Sequence, residues 1–291
     1  DVDGVEKTVV AAMVAMALKL NEVQLTSLLM KTVSWMEEKS VSNVDVTGEG
    51  KHVTEQDLPP TSKAIPVFTL VVELSETFKS IFTPFYGQFF QTMVNFVAAS
   101  NKAFHKEKRS EEGALLFKLV KTVVLAFYKC FLYNTEGWID EEKFRMAATP
   151  LVKMIGAYFV PDYAQEYPKF MSSYVVPTVV QLVVCTSGHD DWWQSFNHEV
   201  LIQTRSPLKE VKLAAMKVIH ECFARMSQEY LPLLPDTIPY LADLLEDEDA
   251  EVEKAAQDLR VQLESVSGEE LTSYLTMWRV CWKKEERAQR E

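Results

Sequence analysis

The segment 102–109 holds the residues best suited to contact a nucleic-acid backbone. Phe104 lies there among four cations: Lys102, Lys106, Lys108 and Arg109. Cations neutralise phosphates, and an aromatic ring offers a face on which a base can stack. This segment is therefore the best candidate for an RNA contact, and the alternative is a charged loop that faces only solvent.

A second set of residues is suited to contact a partner protein. Its members are Trp192, Trp193, Asn197, Arg205, Trp278 and Trp282. Trp and Arg are enriched at the energetic centres of protein interfaces. A structural role is the alternative. Trp193 would then pack in the core between repeats, Arg205 would pair with an acid across a ridge, and Trp278 with Trp282 would close the apolar end of a repeat array.

Residue patterns typical of catalysis and of metal binding are missing from the sequence. It has no phosphate-binding glycine loop, no H-E-x-x-H motif and no paired-cysteine motif. His220 and Cys222 are two residues apart on a predicted helix, so their side chains point in different directions. His189 precedes Asp190 and Asp191, but no third ligand is identifiable. We predict no catalytic residue, no metal site and no cofactor, and hence that the chain is not an enzyme.

The composition is typical of an ordered protein with an acidic surface. Of the 291 residues 47% are hydrophobic. The net charge of −12 argues against binding of nucleic acid through an overall positive potential. The four cysteines form no C-x-x-C pair, which predicts reduced thiols in a cytosolic or nuclear protein. The longest apolar run, residues 9–18, is too short to span a membrane. The chain starts at Asp1 without a methionine, and we expect it to be part of a longer protein.

One helical unit occurs twice in the sequence, at an interval of 41 residues. Its apolar positions are Val211, Ala214, Ala215, Val218 and Cys222 in the first copy, and Val252, Ala255, Ala256, Leu259 and Leu263 in the second. The spacing i, i+3, i+4, i+7 places each set on one face of an α-helix. Between the copies lie a shorter apolar helix and the acidic segment 246–251. That segment is either a solvated turn that caps the next helix or an acidic site that binds a cation or a basic partner. The pattern indicates a HEAT or armadillo unit.

The sequence predicts an all-α fold, an α-solenoid of degenerate HEAT-like helix pairs. We expect a first helix pair at 1–39, a flexible insertion or linker at 40–63, the solenoid at 64–276, and a terminal helix with a charged tail at 277–291. Residues 5–20 are almost wholly apolar, so this helix should be covered on several sides. Four prolines are expected just before or in the first turn of a helix: Pro84, Pro150, Pro177 and Pro239.

Particular strings of the sequence resemble a known family. One string is Leu-Leu-Pro-Asp-Thr-Ile-Pro-Tyr-Leu-Ala-Asp-Leu-Leu-Glu-Asp-Glu-Asp at 233–249, followed by Gly-Glu-Glu-Leu at 268–271. Upstream stand Ser-Phe-Asn-His-Glu-Val-Leu at 195–201 and Gln-Thr-Arg-Ser at 203–206. Over residues 170–275 the chain is similar to the C-terminal end of the large HEAT-repeat subunit of the small-subunit processome. The first half of the chain is compatible with that family but less similar.

This resemblance implies a non-catalytic scaffold that organises proteins and pre-rRNA during early 18S rRNA maturation and ribosome biogenesis. It implies a location in the nucleus and nucleolus, and other processome subunits as partners. Contact with pre-rRNA or snoRNA would be direct or through those subunits, with no membrane and no small-molecule substrate. The alternative is a cytoplasmic HEAT-repeat adaptor, of the transport or phosphatase-scaffold type, that binds protein partners only. The Leu-Glu-Asp-Glu-Asp string and the stretch from Asn197 to Arg205 argue against it.

Overall fold

The computed structural model describes residues 2–38, 58–103, 111–134, 137–157 and 165–277. Within these ranges the chain is helical and has no β-strand, and the predicted all-α fold of HEAT-type helix pairs is confirmed. The chain divides into two compact units, Asp1–Ile139 and Asp140–Glu291. None of the helices in the described ranges is long and apolar enough to cross a membrane.

The first unit is built around α3. Its elements are α1 (Val2–Ala17), α2 (Glu22–Glu37), α3 (Thr61–Phe78), a 3₁₀-helical segment (Lys79–Gln88), α4 (Phe90–Ala103) and α5 (Glu111–Leu132). The central helix α3 packs against α1, α2 and α5. Because α3 begins at Thr61, the last three residues of the predicted insertion 40–63 are helical instead. The part of that insertion before residue 58 lies outside the described residues.

The second unit is built around α10. Its elements are α6 (Glu141–Ala157), α7 (Tyr167–Phe170), a π-helical turn (Met171–Val175), α8 (Val176–Val184), α9 (Asp190–Gln203), α10 (Lys209–Met226), a 3₁₀-helical segment (Ser227–Leu233), α11 (Leu234–Leu244) and α12 (Ala250–Ser267). The central helix α10 packs against α8, α9 and α12.

The two units share one arrangement of five helices. The series α1, α2, α3, α4, α5 corresponds to α8, α9, α10, α11, α12. In each unit the central helix packs on both helices before it and on the last helix after it. The 3₁₀ segment follows the central helix in both cases, and it contacts α2 and α5 in the first unit and α9 and α12 in the second. In the second unit α6 and α7 precede this shared arrangement.

The same local structure ends the central helix in both units. Lys79 has a φ of 52° and Ser227 a φ of 47°, and in the described part of the chain no other non-glycine residue has a positive φ. Three residues later comes a buried aromatic side chain, Phe82 or Tyr230. A proline follows two residues after that, Pro84 or Pro232. The sequence therefore contains a second internal repeat, at an interval of 148 residues, that the 41-residue pattern does not reveal.

The predicted 41-residue repeat corresponds to α10 and α12, which pack against each other. All the aligned apolar side chains are buried except Ala255, which is half-buried. At the start of α12 the Asp249 carboxylate accepts hydrogen bonds from the backbone N–H groups of Glu251 (2.9 Å) and Val252 (3.4 Å). Asp249 thus caps α12, as the turn interpretation of segment 246–251 predicts.

The predicted places of most prolines are wrong. Pro150 and Pro239 lie inside α6 and α11, and Pro84 lies within the 3₁₀ segment. The helix α6 begins earlier because Asp140 accepts a hydrogen bond from the Lys143 N–H (2.9 Å), which is an N-cap that the proline rule overlooks. Only Pro177 lies at the expected place, as the second residue of α8. The first residue of that helix, Val176, donates its N–H to the Met171 carbonyl of the preceding π-helical turn.

The positive φ at Ser227 predicts that glycine stabilises this position. With ψ at −115°, its backbone has a conformation that side chains with a Cβ rarely adopt. We expect Ser227→Gly to raise the free energy of unfolding by about 1 kcal/mol. Ser227→Ala is the matched control, because it removes the hydroxyl and keeps the Cβ, and it should bring no gain. Urea denaturation measures both; equal stabilities of the two variants would contradict the assignment of strain.

Candidate interaction surfaces

Of the four cations proposed to contact RNA, only Lys102 lies within the described residues. It is exposed near the C-terminal end of α4, where a positive charge interacts favourably with the helix dipole. Lys106, Lys108 and Arg109 lie outside the described residues, and so do Trp278 and Trp282. The predicted RNA contact therefore stays a prediction.

Two of the residues proposed to contact a partner are in the interior of the second unit. Trp193 is completely buried, and its indole N–H donates to the Thr186 Oγ1 (3.0 Å). Asn197 is 1% exposed, and its side-chain oxygen accepts a hydrogen bond from the Tyr230 hydroxyl (3.3 Å). Burial raises the pKa of Tyr230 well above its ordinary value, so this hydroxyl stays a neutral donor. The prediction of a partner contact is wrong for Trp193 and Asn197, because the fold leaves neither accessible. Trp193 packs in the core instead, as the structural alternative predicts.

The other two candidates reach the surface at opposite ends of α9. Trp192 is half-buried near the start of this helix, where the His189 ring stacks on it at 4.0 Å. Arg205 follows the end of the helix, with its guanidinium 4.3 Å from the centre of the Tyr240 ring and 3.1 Å from the Asp243 carboxylate. A helix of 14 residues is roughly 20 Å long. The two side chains therefore belong to two separate surfaces, and Arg205 makes the acid pair that the structural alternative predicts.

Arg205 is one end of a row of ion pairs that we name the charged ridge. The ridge joins three cations, Arg205, Lys209 and Lys212, to four acids, Asp243, Asp247, Asp249 and Glu251. The Lys209 Nζ lies 3.1 Å from the Glu251 carboxylate and 3.7 Å from that of Asp249, and Lys212 pairs with Asp247. These contacts link the start of α10 to the turn before α12. A basic partner that bound the acidic segment 246–251 would have to displace the chain's own cations from these carboxylates.

The Lys212–Asp247 pair is the least exposed pair of the ridge, at 20% and 13% side-chain exposure. Burial alone would raise the pKa of Asp247, but hydrogen bonds from Lys212 and from the Asp249 N–H outweigh it and hold the pKa below its ordinary value of 3.8. A carboxyl group with a lowered pKa in the folded state stabilises the fold at neutral pH. That contribution is lost as the pH falls through the pKa of the folded state.

Removing the cation of this pair should destabilise the second unit in a pH-dependent way. We expect Lys212→Met to lower the free energy of unfolding by about 1–2 kcal/mol at pH 7. The difference from the unsubstituted chain should shrink as Asp247 is protonated below pH 3.8. The matched control is Lys217→Met on the same helix, which removes an exposed pair with Glu221 and should cost less than about 0.5 kcal/mol. Urea denaturation across this pH range measures both, and equal losses at pH 7 would contradict the role of the ridge.

The first unit has an open apolar groove between α1, α2 and α3, with a volume of about 620 Å³. Val10, Val67 and Leu70 line it as buried side chains. Val5 and Val9 on its wall are 64% and 52% exposed. The expectation that the apolar helix at 5–20 is covered on several sides is therefore wrong for the described part of the unit. We call this feature the α1–α3 groove.

The described residues contain no group of three or more His, Cys, Asp or Glu side chains that could hold a metal ion. Burial raises the pKa of the Cys222 thiol to about 12, so this sulfur is a protonated core group and a poor nucleophile. Burial, followed by the charge of Lys217, lowers the pKa of His220.

Comparison with known proteins identifies a domain in the first unit and relatives along nearly the whole chain. Residues 1–139 match the BP28CT (NUC211) domain. Human HEAT repeat-containing protein 1 is 27% identical over 280 residues, which is 94% of this chain and 12% of that protein. The U3 small nucleolar RNA-associated protein 10 of Yarrowia lipolytica is 27% identical over 273 residues, which is 93% of this chain and 14% of that protein. An uncharacterized protein of Arabidopsis thaliana is 31% identical along 94% of this chain, and the chain covers 13% of it.

The chain thus spans about an eighth of the length of these three relatives. The domain match falls in the first half of the chain, where the resemblance drawn from the sequence alone is weaker. The relatives extend the match into the second half, which contains the strings that carry that resemblance. Residues 1–139 therefore contain a BP28CT (NUC211) domain, and the chain is a homologue of HEAT repeat-containing protein 1 and U3 small nucleolar RNA-associated protein 10.

Proposed function

We propose that this chain is part of a non-catalytic scaffold of the small-subunit processome. It organises proteins and pre-rRNA in the nucleolus during early 18S rRNA maturation. The observation that carries the proposal is the similarity, along 93% of the chain, to a protein named for its association with U3 small nucleolar RNA. A role in ribosome biogenesis follows from transferring that association to this chain.

The structure supports a role in binding rather than in turnover. In each unit the central helix packs against other helices on several sides, so most of its apolar side chains are used for packing. The surface of the described residues includes the charged ridge, the half-buried Trp192 and the α1–α3 groove. Surfaces of this kind suit contacts with other subunits, and we propose Trp192 and Arg205 as two separate points of such contact.

The distribution of charge favours the first unit as the place of any direct RNA contact. Residues 1–139 carry 16 acidic and 14 basic side chains, whereas residues 140–291 carry 26 acidic and 16 basic side chains. The second unit should therefore repel a phosphate backbone, since its field is strongly negative. The basic segment 102–109 lies in the nearly neutral first unit. We propose that its four cations, Lys102, Lys106, Lys108 and Arg109, contact pre-rRNA or snoRNA.

Recovery of RNA with the tagged protein tests this proposal. We expect U3 small nucleolar RNA to be enriched in the precipitate over a spliceosomal RNA, and the protein to locate to the nucleolus. A cytoplasmic HEAT-repeat adaptor predicts the opposite, namely cytoplasmic protein and no enrichment of U3 RNA. That result would contradict the proposal.

The same preparation tests the RNA contact. Replacing all four cations of segment 102–109 by Ala should lower ultraviolet crosslinking of RNA to this protein within the intact particle. Loss of four phosphate contacts should also reduce the salt dependence of RNA binding by roughly 3 in the logarithmic slope. The matched control replaces four exposed lysines elsewhere, Lys7, Lys19, Lys169 and Lys254, with the same change of net charge. If both variants crosslink as the unsubstituted protein does, the segment is only a solvated loop.

A further inference from the structure

In the second unit, one helix covers the face that the shared five-helix arrangement leaves apolar. This helix is α6, and it packs against α8, α9 and α10. Its buried stripe combines small and large side chains: Phe144, Ala147, Ala148, Leu151, Val152 and Ile155. At the edge of the contact the Thr149 hydroxyl donates to the Glu199 carboxylate of α9 (2.8 Å). The face formed by α8, α9 and α10 is therefore closed by an amphipathic helix.

The corresponding face of the first unit is the α1–α3 groove. In the shared arrangement, the positions of α1, α2 and α3 in the first unit are equivalent to those of α8, α9 and α10 in the second. The side chains that line the groove come from those three helices, with Val9 from α1, Trp35 from α2 and Leu70 from α3. Among the described residues of this unit no helix occupies the position that α6 has in the second. The groove is therefore the site at which the first unit lacks a counterpart of α6.

We infer that the α1–α3 groove binds an amphipathic α-helix of the α6 type, supplied from outside this sequence. Such a helix would bury Val5 and Val9, together with the Trp35 indole, which is 46% exposed. A contiguous apolar surface of this kind marks an interaction site, whereas a single exposed apolar side chain needs no explanation. This inference concerns a docking site and goes beyond the scaffold function proposed above.

The edges of the groove define the charges of its occupant. Glu6 of α1 and Lys31 of α2 are the two charged side chains that line it. The Glu6 carboxylate has a distant partner in Lys118, at 3.7 Å, and Lys31 is exposed. The docked helix should therefore carry a basic residue on the flank near Glu6 and an acidic residue on the flank near Lys31. A second copy of this chain does not supply such a helix from its own α6, because that stripe is buried in its own second unit.

A fusion protein tests the inference with a defined probe. Residues 140–157, which contain α6, are joined to the N-terminus of the full chain through a flexible Gly/Ser linker of about 15 residues, long enough to reach across a helix pair. Fusion raises the effective concentration of the helix, so that even weak docking is populated. Hydrogen exchange of the α1 amides is then measured by mass spectrometry. We expect their exchange to slow by about tenfold or more relative to the unfused chain.

A scrambled fusion and substitutions in and outside the groove decide the outcome. A fusion with the same residues in an order that destroys the apolar stripe should leave α1 exchange unchanged. Val9→Asp in the groove should abolish the protection, whereas Val23→Asp, at a side chain that is 78% exposed and outside the groove, should preserve it. Trp35→Ala repeats the test with a second groove residue if Val9→Asp impairs folding. No protection, equal protection by the scrambled helix, or protection that survives both groove variants overturns the inference. So does concentration-dependent protection of the unfused chain, which would identify a second copy as the occupant.

Discussion

The structure depends on the burial of one central helix in each unit. The helices α3 and α10 carry apolar side chains on more than one face, and such a helix is stable only where other helices cover it. The surrounding helices and the 3₁₀ segment provide this cover. The central helix ends abruptly, which lets the 3₁₀ segment pack back against it. The positive φ at Lys79 and Ser227 follows from it, because the chain must leave the central helix abruptly and return along it.

In both units buried hydrogen bonds hold the 3₁₀ segment that follows the central helix, but different residues make these bonds. In the first unit the Tyr86 hydroxyl lies 2.7 Å from the Ser75 Oγ of α3 and donates to the Ala126 carbonyl of α5 (3.0 Å). In the second unit Tyr230 bonds to Asn197 of α9. A buried hydroxyl without a partner costs roughly 1–3 kcal/mol, so these pairs specify the register of the helices. Asn197 thus contributes to the architecture and has no access to a partner.

Periodicity made the helical fold and the α10–α12 pair predictable, since the spacing of Val211, Ala215 and Val218 by itself defines a buried face. The 148-residue duplication was not predictable in the same way. It rests on a short string, an aromatic residue followed two positions later by proline, and on which helices touch. Pairing Pro84 with Pro232 instead of Pro150 would have revealed it. The burial of Trp193 and the exposure of Val9 depend on neighbours distant in sequence. Residue type alone left both a partner contact and core packing open for Trp193, and it gave the wrong expectation for Val9.

The central claim is that α3 and α10 are equivalent cores of two units with one arrangement. Native-state hydrogen exchange of the full chain tests it most directly, because amides that open only on global unfolding mark the core of each unit. The account predicts that the slowest-exchanging amides of residues 1–139 lie in the middle of α3, and those of residues 140–291 in the middle of α10. Slowest exchange in peripheral helices such as α4 and α11, with α3 and α10 opening earlier, would contradict it.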